Sequence, residues 1–412
     1  MKRYILILCV LILAGLPLKA QFNMSGEFRP RTEYSHGYKN LAGTDQKASL
    51  FTSQRTRLNL GFDSNRITTK LVLQDVRNWG SQRQLVTNED FGISIHEAWA
   101  AAKLHHGIVL QMGRQELVYD NHRIFGNVGW AQQGRTHDLF LAKYEGPIKV
   151  HIGLAYNQSG VRTNDFYYGP DAYKAMQFLW LNKTFKKHTI SILVLNNGKE
   201  YTVSKNDAGR ITEQGIRYSQ TIGTQISRSG KRLSATGNFY YQMGTDASGQ
   251  TINAYEYMID ASLKLSKKTG LGLSYEVLSG TETGSSENNS FTPLYGTNHK
   301  FNGHMDYFFV GNHANSVGLQ DITFKASQKI HRATINVHVH GFLSAVELPE
   351  GNYFGTEADI FVVHPISDNL KIQVGYSQFF ASEAFSQIRT GDITETHNWA
   401  YLMFSFTPKF IK

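Results

Sequence analysis

FNMSGEFRPRTE, residues 22–33, places Phe22, Met24, Gly26 and Phe28 on one side of an extended chain and Asn23, Ser25, Glu27, Arg29, Arg31 and Glu33 on the other. Successive side chains of a strand point to opposite faces, so one face is apolar and the other charged. A strand of this kind crosses hydrocarbon in one register only. The reverse register would set the charged row against lipid, at about 2–4 kcal/mol for each base near the midplane and less for an acid.

The alternation recurs. Leu58, Leu60 and Phe62 oppose Arg55, Arg57 and Asn59, and Ile67, Leu71 and Leu73 oppose Arg66, Lys70 and Gln74, with Asp63, Ser64 and Asn65 as the turn between. Near the end of the chain Ala333, Ile335, Val337 and Val339 alternate with Arg332, Thr334, Asn336 and His338. Helical spacing fits none of these segments. Short connectors near 63–65, 104–107, 145–147, 183–188, 228–231, 266–270, 328–331 and 364–368 alternate with long ones near 35–49, 75–92, 119–134, 157–175, 196–212, 243–251, 279–316, 343–353 and 379–397. Eight short and nine long connectors join eighteen strands. The expected fold is all-β: a single antiparallel transmembrane barrel over residues 21–412, with short periplasmic turns and long extracellular loops. Residues 301–310 (FNGHMDYFFV) would make a nineteenth strand and reverse the C-terminus, so they are assigned to a loop whose aromatics fold into the pore or against its rim. The aromatics of the last strand, from Trp399 to Phe406, suit an interfacial girdle.

Residues 1–20 carry Lys2 and Arg3, an apolar run from Tyr4 to Leu16, and Ala20 ahead of Gln21, the pattern of a cleaved export signal. Cys9, the single cysteine, lies within it, so the remainder has no thiol for a disulfide, zinc-thiolate site or nucleophile. A mean hydropathy of −0.34 does not count against a barrel, because lumen and lipid faces cancel in the average. Net charge falls from +9 to +6 once Lys2, Arg3 and Lys19 are removed, and the bases are spread over many strands, which excludes a nucleic-acid surface. The expected location is the outer membrane, with its lipid as a partner.

Charge in the lumen is the first candidate for function. Arg29, Arg31, Arg55, Arg57, Arg66, Lys70 and Lys149, balanced by Glu27 and Glu33, suit an anion-selective path in which guanidinium forks meet carboxylates or phosphates. The alternative is a water-filled lining in which bases pair with acids and brace the wall. His338 and His340 share a strand face and His105 and His106 share a turn, but a metal needs three or four convergent ligands and the sequence places no third, so no metal site is assigned. Asn196, Asn197, Glu200, Asn206 and Asp207 offer oxygen donors for calcium within loop 196–212, without the spacing of a helix-loop-helix site; otherwise no cofactor is expected. His137 and Asp138 are the nearest approach to a catalytic base and its orienter. As neighbours on a strand they face opposite ways, which argues against a hydrolase.

Several stretches resemble the alginate export family of outer-membrane proteins: FTSQRTRLNLGF (51–62), LVLQDVRNWG (71–80), HEAWAAAKL (96–104), LQMGRQELVYDNHRIFG (110–126), GWAQQGRTHDLFL (129–141) and NHKFNGHMDYFFVG (298–311). The resemblance implies a monomeric eighteen-stranded conduit for an anionic glycan such as a uronate polymer, with periplasmic secretion partners as a further option. It adds Asp75, Arg77, Glu97, Arg114, Arg123, Arg135 and Asp138 to Arg55 and Arg57 as pore residues. A porin for small anionic solutes, or an uptake channel for oligosaccharides, would use the same wall, and the sequence does not encode direction.

Overall fold

The computed structural model describes residues 21–85, 92–158, 160 and 173–411; the export signal lies outside them. The strands are β1 Gln21–His36, β2 Ser49–Asp63, β3 Ile67–Asn78, β4 Ile93–Lys103, β5 Ile108–Gln115, β6 His137–Glu145, β7 Lys149–Tyr156, β8 Ala175–Phe185 and β9 His188–Lys205. They continue as β10 Ile211–Ser229, β11 Leu233–Thr245, β12 Thr251–Lys264, β13 Thr269–Leu278, β14 Leu319–Ile330, β15 Ala333–Leu343, β16 Tyr353–Ser367, β17 Leu370–Ala381 and β18 His397–Phe406. Each pairs antiparallel with the next, and β18 returns to β1, from Phe28 opposite Phe406 to His36 opposite Asn398. The result is a closed barrel of eighteen strands. A stub, β19 (Lys409–Ile411), continues the ladder of β18 along β1 beyond Pro408, whose missing N–H interrupts it.

Closure leaves no free sheet edge, and the alternation falls as the sequence requires. Ile222, Ile226, Phe239, Ile259, Leu273, Ile322, Ile360 and Val374 stand exposed on the outer wall, the last place water would tolerate such a band. A closed barrel with this belt is an outer-membrane barrel. The short turns fall where expected. Some are very tight: Lys186 and His331, at φ 54° and 52°, adopt the left-handed conformation that two-residue hairpin connections require.

Two expectations change and a third holds. Residues 196–205 are not loop: β9 and β10 extend as a hairpin to a five-residue tip, 206–210. Asn196 therefore turns outward to Gln177 and Gln220 while Asn197 turns inward to the Tyr295 hydroxyl, and Glu200 meets Lys174, so the supposed calcium donors do not converge. In β18, Trp399 and Tyr401 are fully buried inside the lumen and form no girdle. Residues 301–310 are indeed loop, and Met305, Tyr307 and Phe308 are buried against Phe342, Phe354, Phe379 and Phe385.

Candidate functional site: a lumen narrowed by two inward loops

The connection 116–136 folds into the lumen and is held to the inner faces of β1 and β2 by the arginines of those strands. Arg29 donates through Nη1 to the Gly129 carbonyl (2.7 Å), through Nη2 to those of Trp130 and Ala131 (3.1 Å each), and through Nε to Gln132 Oε1 (3.0 Å). Arg31 donates to the Trp130 carbonyl (2.8 Å), lies 4.4 Å over the Trp130 ring, and pairs with Glu33 at 2.8 Å. Arg55 reaches the carbonyls of Ala131 and Gln132 at 3.3 Å and Glu27 Oε1 at 2.6 Å. Arg57 donates to Gln74 (2.7 Å) and stands 3.9 Å from Glu116. Burial works to raise the Glu116 pKa, but hydrogen bonds from His96 and Asn127 and the Arg57 charge hold it below the ordinary glutamate value.

The second inward segment, 279–318, locks onto the first. Gly126 N donates to Tyr295 O and Thr297 N to His122 O, both at 2.9 Å, and the Trp130 ring stacks on His299 at 4.5 Å. A side chain at 126 could not fit: its Cβ would lie 2.2 Å from Thr297 Oγ1 and 3.0 Å from Thr297 N. Arg123, 1% exposed, pairs through both Nε and Nη2 with Glu276 of β13, donates to Asn302, and lies 4.0 Å over Phe301. Arg135 donates to the Gly296 carbonyl at 2.9 Å, and its burial lowers its pKa.

The sequence-derived pore residues thus divide. Glu27, Arg29, Arg31, Glu33, Arg55 and Arg57 share one inner wall; Lys70 meets Glu97 on it, and Arg123 and Arg135 belong to the inward loop. A bulge in β4 opposite Val72–Leu73 buries both His96 and Glu97, and so explains why two consecutive residues reach the interior. Four expected members are not in the lumen. Asp75 and Arg77 share the face of Leu71 and Leu73 and bond each other at 2.7 and 2.8 Å. Arg114 and Asp138, directly opposite on β5 and β6, pair at 2.7 Å on the outer face, while His137 and Gln115 beside them are buried inside. Strand parity excludes these four.

Sequence reasoning missed a cup at the extracellular mouth, a cavity of about 410 Å³ between β9–β12 and loop 279–318. Lys199 and Arg217, opposite each other on β9 and β10, supply its bases and Asp246 its one acid; Asn197, Ser219, Gln242, Asn288 and Thr292 are among its neutral polar walls. Reading 196–212 as solvated loop hid it.

No family model matches the chain, and no curated protein matches it, so the resemblance to the alginate export family gains no support from these comparisons. Solved structures match over almost the whole length. Pseudomonas aeruginosa OccK9 (OpdG) superposes with a TM-score of 0.62 at 11% identity, covering 94% of this chain and 98% of that one. The fold is that of the Occ barrels. Acinetobacter baumannii OccAB1 gives a TM-score of 0.62 at 12% identity over 96% and 99% of the chains. Pseudomonas aeruginosa OpdK, solved with vanillate, gives 0.56 at 9% over 94% and 99%.

Proposed function

We propose that the chain is a passive outer-membrane diffusion channel for small anionic solutes. The observation that supports this most is the use made of the arginines. A ladder conducting a polyuronate would need unpaired guanidinium groups along the path, whereas Arg29, Arg31, Arg55 and Arg123 spend theirs on loop carbonyls and buried acids. Fork-like donors so engaged position the loop and do not greet a solute. What remains between the inward loops and the barrel wall includes cavities of a few hundred cubic ångströms, about 410 Å³ at the mouth and about 290 Å³ where Lys300 and Lys325 face Asp260, Glu276 and Asp321. Spaces of that size suit a molecule on the scale of a monosaccharide acid or an aromatic carboxylate such as the vanillate bound to OpdK.

Selectivity belongs to the mouth, where Lys199 and Arg217 outnumber one acid; Arg217 is held by the Ala247 carbonyl and the Tyr201 ring, so it acts on anions through its charge while Lys199 is the base offered to a solute. Liposome swelling separates this function from polymer conduction. Small carboxylates should enter faster than neutral solutes of equal size, and uronate oligomers beyond a few units should neither enter nor block. Entry or block by long oligouronates would restore the glycan conduit, and swelling indifferent to charge would leave a general porin.

A further inference from the structure

His338 on β15 and Asp359 on β16 are direct cross-strand partners whose side chains both point inward, and loop 279–318 lowers His304 onto them. His304 Nδ1 lies 3.9 Å from Asp359 Oδ1, and the ligand atoms of His304, His338 and Asp359 all lie within 4.8 Å of one another. Asp359 is 1% exposed, and although Ser377 and Glu357 come within reach of its carboxylate, neither oxygen has a hydrogen bond of good geometry. A buried carboxylate so poorly bonded is costly to keep and calls for a cation. His340 does not fully answer that call: its Nδ1 is committed to Asp321 at 3.0 Å, and its Nε2 stops 3.7 Å from Asp359.

We propose that His304, His338 and Asp359 form a divalent transition-metal site that clasps loop 279–318 to the β15–β16 wall. Two imidazoles and a carboxylate suit Zn²⁺, Co²⁺ or Ni²⁺, with a fourth position open to water. Metal–ligand bonds of about 2.0–2.2 Å in a tetrahedron set the donors roughly 3.3 Å apart, so a pair at the 4.8 Å limit must close by about 1.5 Å, which is under about 1 Å for each donor when all three draw in toward the ion. The surroundings fit. Phe361 packs against the rings of both His304 and His338, at 5.1 and 5.3 Å, as an apolar wall. His299 stacks on His304 at 5.1 Å and donates through Nδ1 to the Asp306 carboxylate, which fixes the loop as it arrives. Lys325, opposite His338, is neutralised by Asp260 at 2.9 Å, and His338 also lines a lumen cavity with both of them, giving the ion a route in.

The test uses the full-length folded barrel without a histidine tag, stripped with chelator and titrated with Co²⁺ or Zn²⁺ by calorimetry and Co²⁺ absorption. One equivalent should bind. His304→Gln, His338→Gln and Asp359→Asn should each weaken binding at least tenfold, whereas the double variant His105→Gln/His106→Gln, altered in a distant turn, should bind as the parent does. Heat-modifiable gel migration verifies folding of each variant, and His304→Gln, which alters only the loop, decides the matter if a strand variant fails to fold. In planar bilayers Zn²⁺ should suppress high-conductance openings of the parent and not of His304→Gln. Absence of stoichiometric binding, binding insensitive to His304→Gln, or binding without any effect on openings would overturn the clasp.

Discussion

Replacing Arg29 with methionine keeps an unbranched apolar stem, drops the guanidinium, and removes five hydrogen bonds to Gly129, Trp130, Ala131 and Gln132. Hydrogen bonds to a charged group contribute about 1.5–3 kcal/mol each, but these five share one guanidinium and are not additive. Lumen water would also recover the freed carbonyls, so the net loss is bounded near that of one broken buried pair, about 3–5 kcal/mol. At 1.4 kcal/mol per factor of ten, the population with loop 116–136 displaced should rise by about two to three and a half orders of magnitude. Arg31 and Arg55 still hold the same segment, so the barrel itself should stay folded. Single-channel recording should show frequent high-conductance openings with little change in reversal potential under a salt gradient. If openings stay as rare as in the parent while reversal potential moves toward cations, Arg29 faces permeating ions instead of the loop, and the reasoning fails.

Gly126→Ala should open the lumen without touching any charge, because the new Cβ meets Thr297 Oγ1 and its backbone nitrogen; bilayer conductance should rise with selectivity unchanged, and an unaltered conductance would show that the two loops do not interlock there. Lys199→Gln with Arg217→Gln should lower anion preference while Asp246→Asn raises it, both effects fading as salt shortens the Debye length below about 10 Å. Equal reversal potentials in the parent and both variants would remove the mouth from the selectivity argument. Asp246 also offers a pH marker: burial works to raise its pKa, but Ser248, Asn288 and the amides of Gly249 and Gln250 hold it below the ordinary 3.8. A depressed carboxylate contributes stability at neutral pH and loses it only as pH falls through the folded value. Amide shifts at residues 248–250 should therefore titrate with a midpoint below 3.8, and a midpoint at or above it would refute the assignment.

Strand count and facing were legible because they rest on local rules: period-two alternation and turn formers act over a few residues, and lipid enforces them. Asp75, Arg77, Arg114 and Asp138 were within reach of the same rule, since Asp75 and Arg77 simply continue the row of Leu71 and Leu73; the family resemblance carried them inward against their own parity. The polar hairpin at 196–205 escaped because beyond the bilayer no lipid compels alternation. The destination of the long loops was illegible for a different reason. Polarity marks a connection as wet, but whether it stands above the barrel or inside it depends on partners such as Gln132 for Arg29 and Glu276 for Arg123, at separations of 103 and 153 residues. His304 reached His338 and Asp359 by the same non-local route.

Loop 116–136 also bears on how the cylinder shuts. Trp130 is gripped by Arg29 and Arg31 of β1 and packs edge-on against Trp399 and Tyr401 of β18, at 5.7 and 4.9 Å. These are the first and last strands, which must find each other across the whole chain; Glu33 and Trp399, bonded at 3.2 Å, are 366 residues apart. In the folded barrel the indole held on β1 gives β18 a packing surface, so the seam is braced from within as well as by its backbone ladder. Trp130 is then a residue of closure more than of passage: its replacement by alanine should lower the temperature at which the heat-modifiable gel band is lost, while leaving the mouth and its charges as they were.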